Sequence, residues 1–268
     1  MKETDRDIRE RIEALKLALR GDDNERRPRS RHEGESRLSP LAIEELESAR
    51  EMGSDVGPCL ILEKDVSDLV GTADLGSAVL RLAGDESDGA REGAAPPRYI
   101  FLDLETTGFA STPLFLAGTM FEKGGRLFCA QLLARDYSEE RALIAMLDRL
   151  MCDFEVCITF NGRSFDIPYL RERAKYHRLV LGSAPRHLDI LYHARRMWRG
   201  SLPNCRLATL EWHILGRRRG GDVSGWEVPC IYHEFVHTSD ARRLVGVIRH
   251  NLLDVVSMAE LLICLAEA

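Results

Sequence analysis

The sequence predicts an α/β fold, a mixed β-sheet flanked by helices, and two observations carry this prediction. Three apolar strand candidates follow one another at residues 98–104, 114–121 and 126–133. Beyond residue 166 the apolar residues recur mostly at helical spacing. A three-stranded meander followed by a helix, a further strand and more helices is typical of an α/β layer architecture.

Each element of this fold has a local cause. Gly124-Gly125 separates the second and third strand candidates, as expected of a tight hairpin turn. Residues 138–151 have the apolar periodicity of a helix, and the β-branched run at 155–160 predicts a fourth strand. The remaining helices are expected at residues 167–178, 188–199, 207–215 and 241–266.

The segments before the first strand candidate are interrupted by polar linkers. Residues 1–97 are therefore predicted to be an N-terminal extension of helical pieces and linkers, partly disordered, and residues 98–268 the main domain. Within the extension we expect a helix at 4–20, a second starting at Ser39-Pro40, a strand at 59–63, and linkers at 21–36 and 84–97.

The composition is that of a soluble globular protein: 268 residues, 44% apolar and 30% charged. No stretch approaches the roughly 20 apolar residues of a membrane span, and the charged N-terminus has no apolar signal core. We therefore expect a cytoplasmic protein. The seven scattered cysteines include no C-x-x-C pair, which predicts neither a disulfide framework nor a structural zinc site.

The net charge of −6 is unevenly distributed along the chain. Residues 171–219 hold 12 basic and 3 acidic side chains, although residues 1–97 hold 15 basic and 23 acidic ones. A basic segment in an acidic chain indicates contact with a polyanion such as nucleic acid. The alternative is a solvated, arginine-rich helix face.

The first strand carries two carboxylates, Asp103 and Glu105, in the stretch YIFLDLETTGFA. Side chains alternate faces along a strand, so both point the same way. Two like charges on a mostly buried element repel each other and lose hydration, and a divalent cation with oxygen ligands would compensate both effects.

A third carboxylate, Asp166, stands where the strand at 155–160 gives way to a helix. Asn161-Gly162 marks the turn between them. Taken alone, Asp166 is more often a helix N-cap and Asn161 a turn residue.

The last helix carries His250 and Asp254, which are four residues apart and so share one face. The alternative for this pair is a helix-stabilising contact. All three segments can reach one edge of the sheet, and four converging carboxylates would require two divalent cations, Mg²⁺ or Mn²⁺. Two such ions form a clamp for in-line displacement at phosphorus, and His250 is placed to accept the proton of the attacking water.

The stretches FLDLETTG, FNGRSFD and HNLLD, in this order, resemble the three exonuclease motifs of the DEDD (DnaQ-like) superfamily, which has a ribonuclease-H-like fold. The resemblance is closer to the YprB-type ribonuclease-H-like domain family, whose middle section is similar to residues 187–211 and 215–229. It covers residues 98–268 and implies an α/β ribonuclease-H-like mixed sheet flanked by helices.

The resemblance also implies roles for individual residues. Asp103 would bridge two metal ions, Glu105 and Asp254 would bind the first ion, Asp166 would hold the second, and His250 would be the general base. His250 lies four residues before Asp254, the spacing of the tyrosine branch rather than the usual five of the histidine branch. Thr106, Thr107 and Asn161 would line the site near the scissile nucleotide.

The resemblance therefore favours the interpretation of the basic segment, residues 171–219, as a binding surface for a nucleic-acid strand. Arg195, Arg196, Arg199, Arg206 and Arg217 to Arg219 would contact phosphates. Trp198, Trp212 and Trp226 would stack on bases, or else pack in the core. Asp189 is interpreted as a helix cap, with a secondary role in the site as the alternative.

The sequence thus predicts a metal-dependent nuclease acting on DNA or RNA, as a single strand or a 3′ end. The direction, 3′–5′ exonuclease, is implied by the resemblance. A ribonuclease-H-type endonuclease and a non-catalytic nucleic-acid-binding module are the alternatives.

Overall fold

The computed structural model describes residues 49–70, 74–84, 95–108 and 111–267. Its strands are β1 Arg50–Ser54, β2 Gly57–Asp65, β3 Tyr99–Thr106, β4 Leu114–Lys123, β5 Arg126–Leu133, β6 Val156–Thr159 and β7 Arg186–Asp189. Its helices are α1 Ser67–Val70, α2 Leu75–Gly84, α3 Glu140–Met151, α4 Asp166–Tyr176, α5 Ile190–Trp198, α6 Leu207–His213, α7 Val228–Thr238 and α8 Leu244–Glu267.

The strands form one mixed sheet in the order β1-β2-β5-β4-β3-β6-β7. β3, β4 and β5 are an antiparallel meander, and β6 and β7 run parallel to β3. Gly124 and Gly125 join β4 to β5 with φ angles of +62° and +75°, which a glycine adopts without steric cost. The predicted mixed sheet flanked by helices is confirmed.

The hairpin of β1 and β2 extends this sheet, because β2 pairs antiparallel with β5. The strand predicted at 59–63 is confirmed within β2. Residues before position 98 therefore contribute strands to the sheet, and the domain boundary at 98 stays a prediction. The predicted segments at 4–20, 21–36 and Ser39-Pro40 lie outside the described residues, as do residues 85–94 of the linker predicted at 84–97.

Helices cover both faces of the sheet. α3, α4 and α7 pack with the sheet into one apolar core, whereas α2, α5, α6 and most of α8 pack into the other. α8 crosses the centre of the sheet and contacts β3, β4 and β5. This crossing brings the middle of α8 to the carboxyl end of β3.

β1, α1 and α2 were not predicted, and from β3 onwards two elements differ from the sequence prediction by more than their end positions. The helix expected at 188–199 begins only at Ile190, because Leu188 and Asp189 extend β7 and pair with β6. α7 was not predicted, although its buried residues Val228, Ile231, Tyr232 and Phe235 have helical spacing. In the part of the chain that the structure describes, no helix is long and apolar enough to cross a membrane.

Candidate functional site

The carboxyl end of β3 presents Asp103 and Glu105 on the same face, as the alternation of side chains predicts. Both side chains are half-buried. The pairing of β3 with β4 shifts its register between Glu105 and Thr106. Such irregularities bend a strand and re-aim its side chains, and this one follows directly after the acidic pair.

Asp166 reaches the same strand end from the start of α4. It is 4% exposed, and its Oδ1 accepts a hydrogen bond of 3.0 Å from the amide of Leu104, the residue between Asp103 and Glu105. Asp166 is the first residue of α4 rather than its N-cap, which is Phe165. Its carboxylate therefore ties α4 to β3.

Asn251 joins α8 to β3 in a fully buried position. Its Nδ2 donates to Asp103 Oδ2 at 2.8 Å, and its Oδ1 accepts from Gln131 Nε2 at 2.8 Å. Gly118 of β4 lies between Asp103 and Gln131 in the sheet register, and a Cβ atom there would lie 2.0 Å from Asn251 Oδ1. Glycine at position 118 therefore leaves the space in which Asn251 orients Asp103.

Asp254 follows Asn251 along α8 and lies beside Glu105 and His250. One ligand atom from each of these three residues lies within 4.8 Å of the other two. The Nε2 atom of His250 is 3.6 Å from Asp254 Oδ2. Together with Asp103 and Asp166, whose charges act on each other and on Asp254, these residues form one cluster at the end of β3.

The carboxylates of this cluster disfavour one another's ionisation. Burial and the charges of Asp254 and Asp166 raise the pKa of Asp103 well above its ordinary value. Burial and the charges of Asp103 and Asp254 do the same to the pKa of Glu105. Burial raises the pKa of Asp166 to about 7, although the Leu104 amide opposes the shift. A cation among these oxygens would relieve both the burial cost and the repulsion.

His250 is held by a carboxylate outside the predicted set. Its Nδ1 lies 2.8 Å from Asp222 Oδ2, which leaves Nε2 directed to Asp254. Burial lowers the pKa of His250, but the Asp222 hydrogen bond and the charges of Asp254 and Asp222 outweigh burial and raise it. A carboxylate on one ring nitrogen fixes the orientation of the other.

Arg219 links the cluster to the surrounding loop. Its guanidinium lies 2.6 Å from Asp254 Oδ1 and 3.2 Å from Asp222 Oδ2, and it also donates to Glu211. Glu211 in turn accepts from the Ser257 hydroxyl. The single guanidinium thus offsets part of the negative charge of three carboxylates.

Sequence reasoning missed Asp222, Asn251 and Glu211, and it assigned Arg219 to phosphate binding. The structure places Arg219 against carboxylates instead. Asp222 follows a glycine- and arginine-rich stretch without periodicity, so its position in space has no local signal. Asn251 directly follows His250 within HNLLD, and this adjacency was the one sequence signal that Asn251 belongs to the site.

The predicted contacts of Thr106, Thr107 and Asn161 with the scissile nucleotide stay predictions, and in the structure these residues make local hydrogen bonds. Thr106 and Thr107 are buried, and their hydroxyls donate to the carbonyls of Gly108 and Pro113 at 2.7 and 3.2 Å. Asn161 has a φ of +66° and its amide donates to Asp189 at 2.8 Å.

Asp189 has two functions in the fold. It caps α5 by accepting from the Leu191 amide, as predicted, and it also accepts from the amide of Arg163 at 3.0 Å. The loop after β6 is therefore fixed to β7. Arg195 on α5 and Arg206 at the start of α6 are exposed, and their contacts with phosphate stay a prediction.

Comparison with known proteins identifies the fold family. The family model described as the RNase H superfamily matches residues 100–266. The chain belongs to the RNase H superfamily. This membership covers β3 to α8 and supports a nuclease-type function.

Two further proteins resemble this RNase H superfamily member. An uncharacterised protein, YprB of Bacillus subtilis (strain 168), is 32% identical over 176 residues, which are 62% of this chain and 41% of YprB. The chain thus spans less than half of that relative. The YprB-type resemblance is confirmed.

The second is a solved structure, the family B DNA polymerase from the hyperthermophilic archaeon Pyrobaculum calidifontis. It superposes with a TM-score of 0.51 and 21% identity over 64% of this chain and 25% of the polymerase. At this identity the likeness concerns the fold alone.

Proposed function

We propose that the protein is a metal-dependent nuclease that hydrolyses phosphodiester bonds of DNA or RNA, with its active site at the end of β3. The observation that carries the proposal is the meeting of Asp103, Glu105, Asp166 and Asp254 beside His250, where burial and mutual repulsion raise the pKa values of the carboxyl groups. Perturbed titratable groups clustered in this way are typical of functional sites.

The donor atoms of the cluster fit divalent cations. Carboxylate oxygens are preferred by Mg²⁺ and Mn²⁺, and oxygen atoms of Glu105 and Asp254 are close enough to share one ion. Asp103, Glu105, Asp166 and Asp254 would hold two cations. Bound cations would neutralise the carboxylates and polarise the phosphodiester towards attack.

The residues of the chain would then perform the following steps. His250 accepts at Nε2 the proton of the attacking water, whose oxygen forms the new bond to phosphorus as the P–O bond to the leaving group breaks. Asp222 holds the opposite ring nitrogen and favours the protonated imidazole. Asn251 fixes the carboxylate of Asp103, and Arg219 fixes that of Asp254.

The direction of cleavage is proposed as 3′–5′ on the basis of the three motifs that resemble the DEDD exonucleases. Such a reaction removes the terminal nucleotide of a strand as a nucleoside 5′-monophosphate. A ribonuclease-H-type endonuclease would use the same residues but would need no strand end.

The test is a panel of end-labelled single- and double-stranded DNA and RNA, incubated with Mg²⁺ or Mn²⁺. The wild type should shorten at least one substrate from its 3′ end, whereas Asp103→Asn should not. Asp55→Asn, an exposed carboxylate in the turn after β1, is the matched control and should act like the wild type.

Two outcomes would redirect the proposal. Cleavage of a circular single strand, which has no end, would favour the endonuclease. Binding without metal-dependent hydrolysis of any substrate would favour a non-catalytic nucleic-acid-binding module.

A further inference from the structure

An open groove leads away from the proposed active site along α6. It has a volume of about 810 Å³ and is bounded by α6, by residues 217–225, and by His250 and Asp254 of the carboxylate cluster. We call this surface the α6 groove. Because His250 and Asp254 line both the groove and the cluster, the groove opens onto the site.

Trp212 and Arg218 form a stacked pair in the wall of the α6 groove. The guanidinium carbon of Arg218 lies 3.5 Å from the centre of the Trp212 ring, and Trp212 is 42% exposed. The neighbouring arginines are used differently, since Arg217 pairs with Glu260 and Arg219 with the carboxylates of the site. Arg218 therefore carries its charge to the groove rather than to the carboxylate cluster.

The chemistry of this pair suits one class of ligand. Flat indole and guanidinium surfaces stack on nucleobases whatever their sequence, and the positive charge attracts phosphate. Three acidic residues that line the groove, Glu211, Asp222 and Asp254, are ion-paired with Arg219, which reduces their repulsion of a polyanion.

The geometry points to the α6 groove as the binding track for a single-stranded nucleic acid, with a base stacked on the Trp212–Arg218 pair while the strand end lies in the carboxylate cluster. This inference rests on the proposed nuclease function. It narrows the predicted substrate, a single strand or a 3′ end, to an unpaired strand that extends at least one nucleotide beyond the scissile bond and stacks on this pair.

The test is direct binding without turnover. Fluorescein-labelled oligothymidylate and oligouridylate of about ten nucleotides, within the usual site size of single-strand binders, are titrated by anisotropy against Asp103→Asn protein. Adding Trp212→Ala should weaken binding by about 5- to 150-fold, the range expected for one lost stacking contact. Trp212→Phe should retain most of the affinity.

The matched control is Tyr176→Ala. Tyr176 is 70% exposed and also carries a stacked arginine, Arg173, but it is not among the residues that line the groove. Its removal should leave the dissociation constant unchanged. Circular dichroism and thermal unfolding of each variant check that the fold is kept.

Arg218→Ala gives a second readout that a purely structural role would not change. Removing one phosphate contact should lower the slope of log K against log salt concentration by about 0.7. An unchanged slope together with unchanged affinity in Trp212→Ala would overturn the inference.

A one-nucleotide chromogenic ester, the p-nitrophenyl ester of thymidine 5′-monophosphate, separates this inference from the proposed function. Wild-type hydrolysis of the ester combined with Trp212-independent oligonucleotide binding would leave the nuclease proposal standing and overturn the groove. Trp212-dependent binding with no hydrolysis of any substrate would support the groove as a binding surface and overturn the nuclease proposal.

Discussion

A buried carboxylate and a half-buried pair of carboxylates in this molecule have opposite surroundings. Glu140, at the start of α3, is 1% exposed and is matched by cations and donors: Arg173, His177 and the Leu114 amide all reach its oxygens. At the end of β3, Asp103 and Glu105 lie against further carboxylates, and their pKa values rise. The comparison teaches that the two groups differ mainly in their partners: Glu140 is paired with cations and donors, whereas the proposed metal ligands Asp103 and Glu105 face like charges.

The largest expected effect is the loss of activity when a carboxylate at the end of β3, which faces like charges, is replaced. Asp103→Asn should lower kcat by on the order of 1,000-fold, because metal-bound charge stabilisation is worth several kcal/mol. Its free energy of unfolding, measured with urea in EDTA, should equal or exceed that of the wild type, because one buried charge is gone. Active Asp103→Asn protein would contradict the assignment.

At Glu140, which is paired with cations and donors, the expected effect is on stability instead: removing a partner should destabilise the fold. Arg173→Ala leaves Glu140 buried without its bidentate partner, so the free energy of unfolding should fall by about 3–5 kcal/mol. Arg171→Ala, an exposed arginine on the same helix, is the control and should change stability little. If both variants unfold at the same urea concentration, Glu140 is not compensated as described.

A smaller effect is expected at Asp222, which contacts the site only through His250 and Arg219. Asp222→Asn should reduce kcat by about 10- to 100-fold, as loss of an orienting partner commonly does, with little change in KM. Asp240→Asn, which removes a carboxylate from a distant exposed turn, should leave kcat unchanged. A change confined to KM would instead place Asp222 in substrate binding.

The smallest expected effect is on pH dependence. A carboxyl group whose folded-state pKa exceeds its unfolded value takes up protons on folding, so its contribution to stability falls as the pH rises between the two values. With the pKa of Asp166 raised to about 7, Asp166→Asn should gain stability relative to the wild type progressively as the pH rises from about 4 to 7.5 in EDTA. Added Mg²⁺ should remove the gain, and a pH-independent difference would show that Asp166 titrates normally.

The sequence was sufficient for the parts of this site that depend on local pattern. Alternation along β3 predicts that Asp103 and Glu105 share a face, and the four-residue spacing predicts the same for His250 and Asp254. The strands and helices from β3 onwards followed from apolar periodicity, except for β7 and α7.

The rest depends on tertiary contacts that no local pattern encodes. Asp222 lies on a loop whose path is set by ion pairs of Arg219 with Glu211 and Asp254. The addition of β1 and β2 to the sheet depends on pairing with β5, about seventy residues later in the chain. A short strand such as β2 could be recognised, but its partner could not.

A substitution at Gly118 would act by a route that its position in the sheet does not suggest. It lies in the middle of a central strand, where a substitution is ordinarily a folding defect. Here a single added methyl group would displace the Asn251 amide and with it the carboxylate of Asp103 on the adjacent strand. An alanine at this position is therefore expected to impair the proposed reaction by misaligning the Asp103 carboxylate, even in a protein whose sheet is intact.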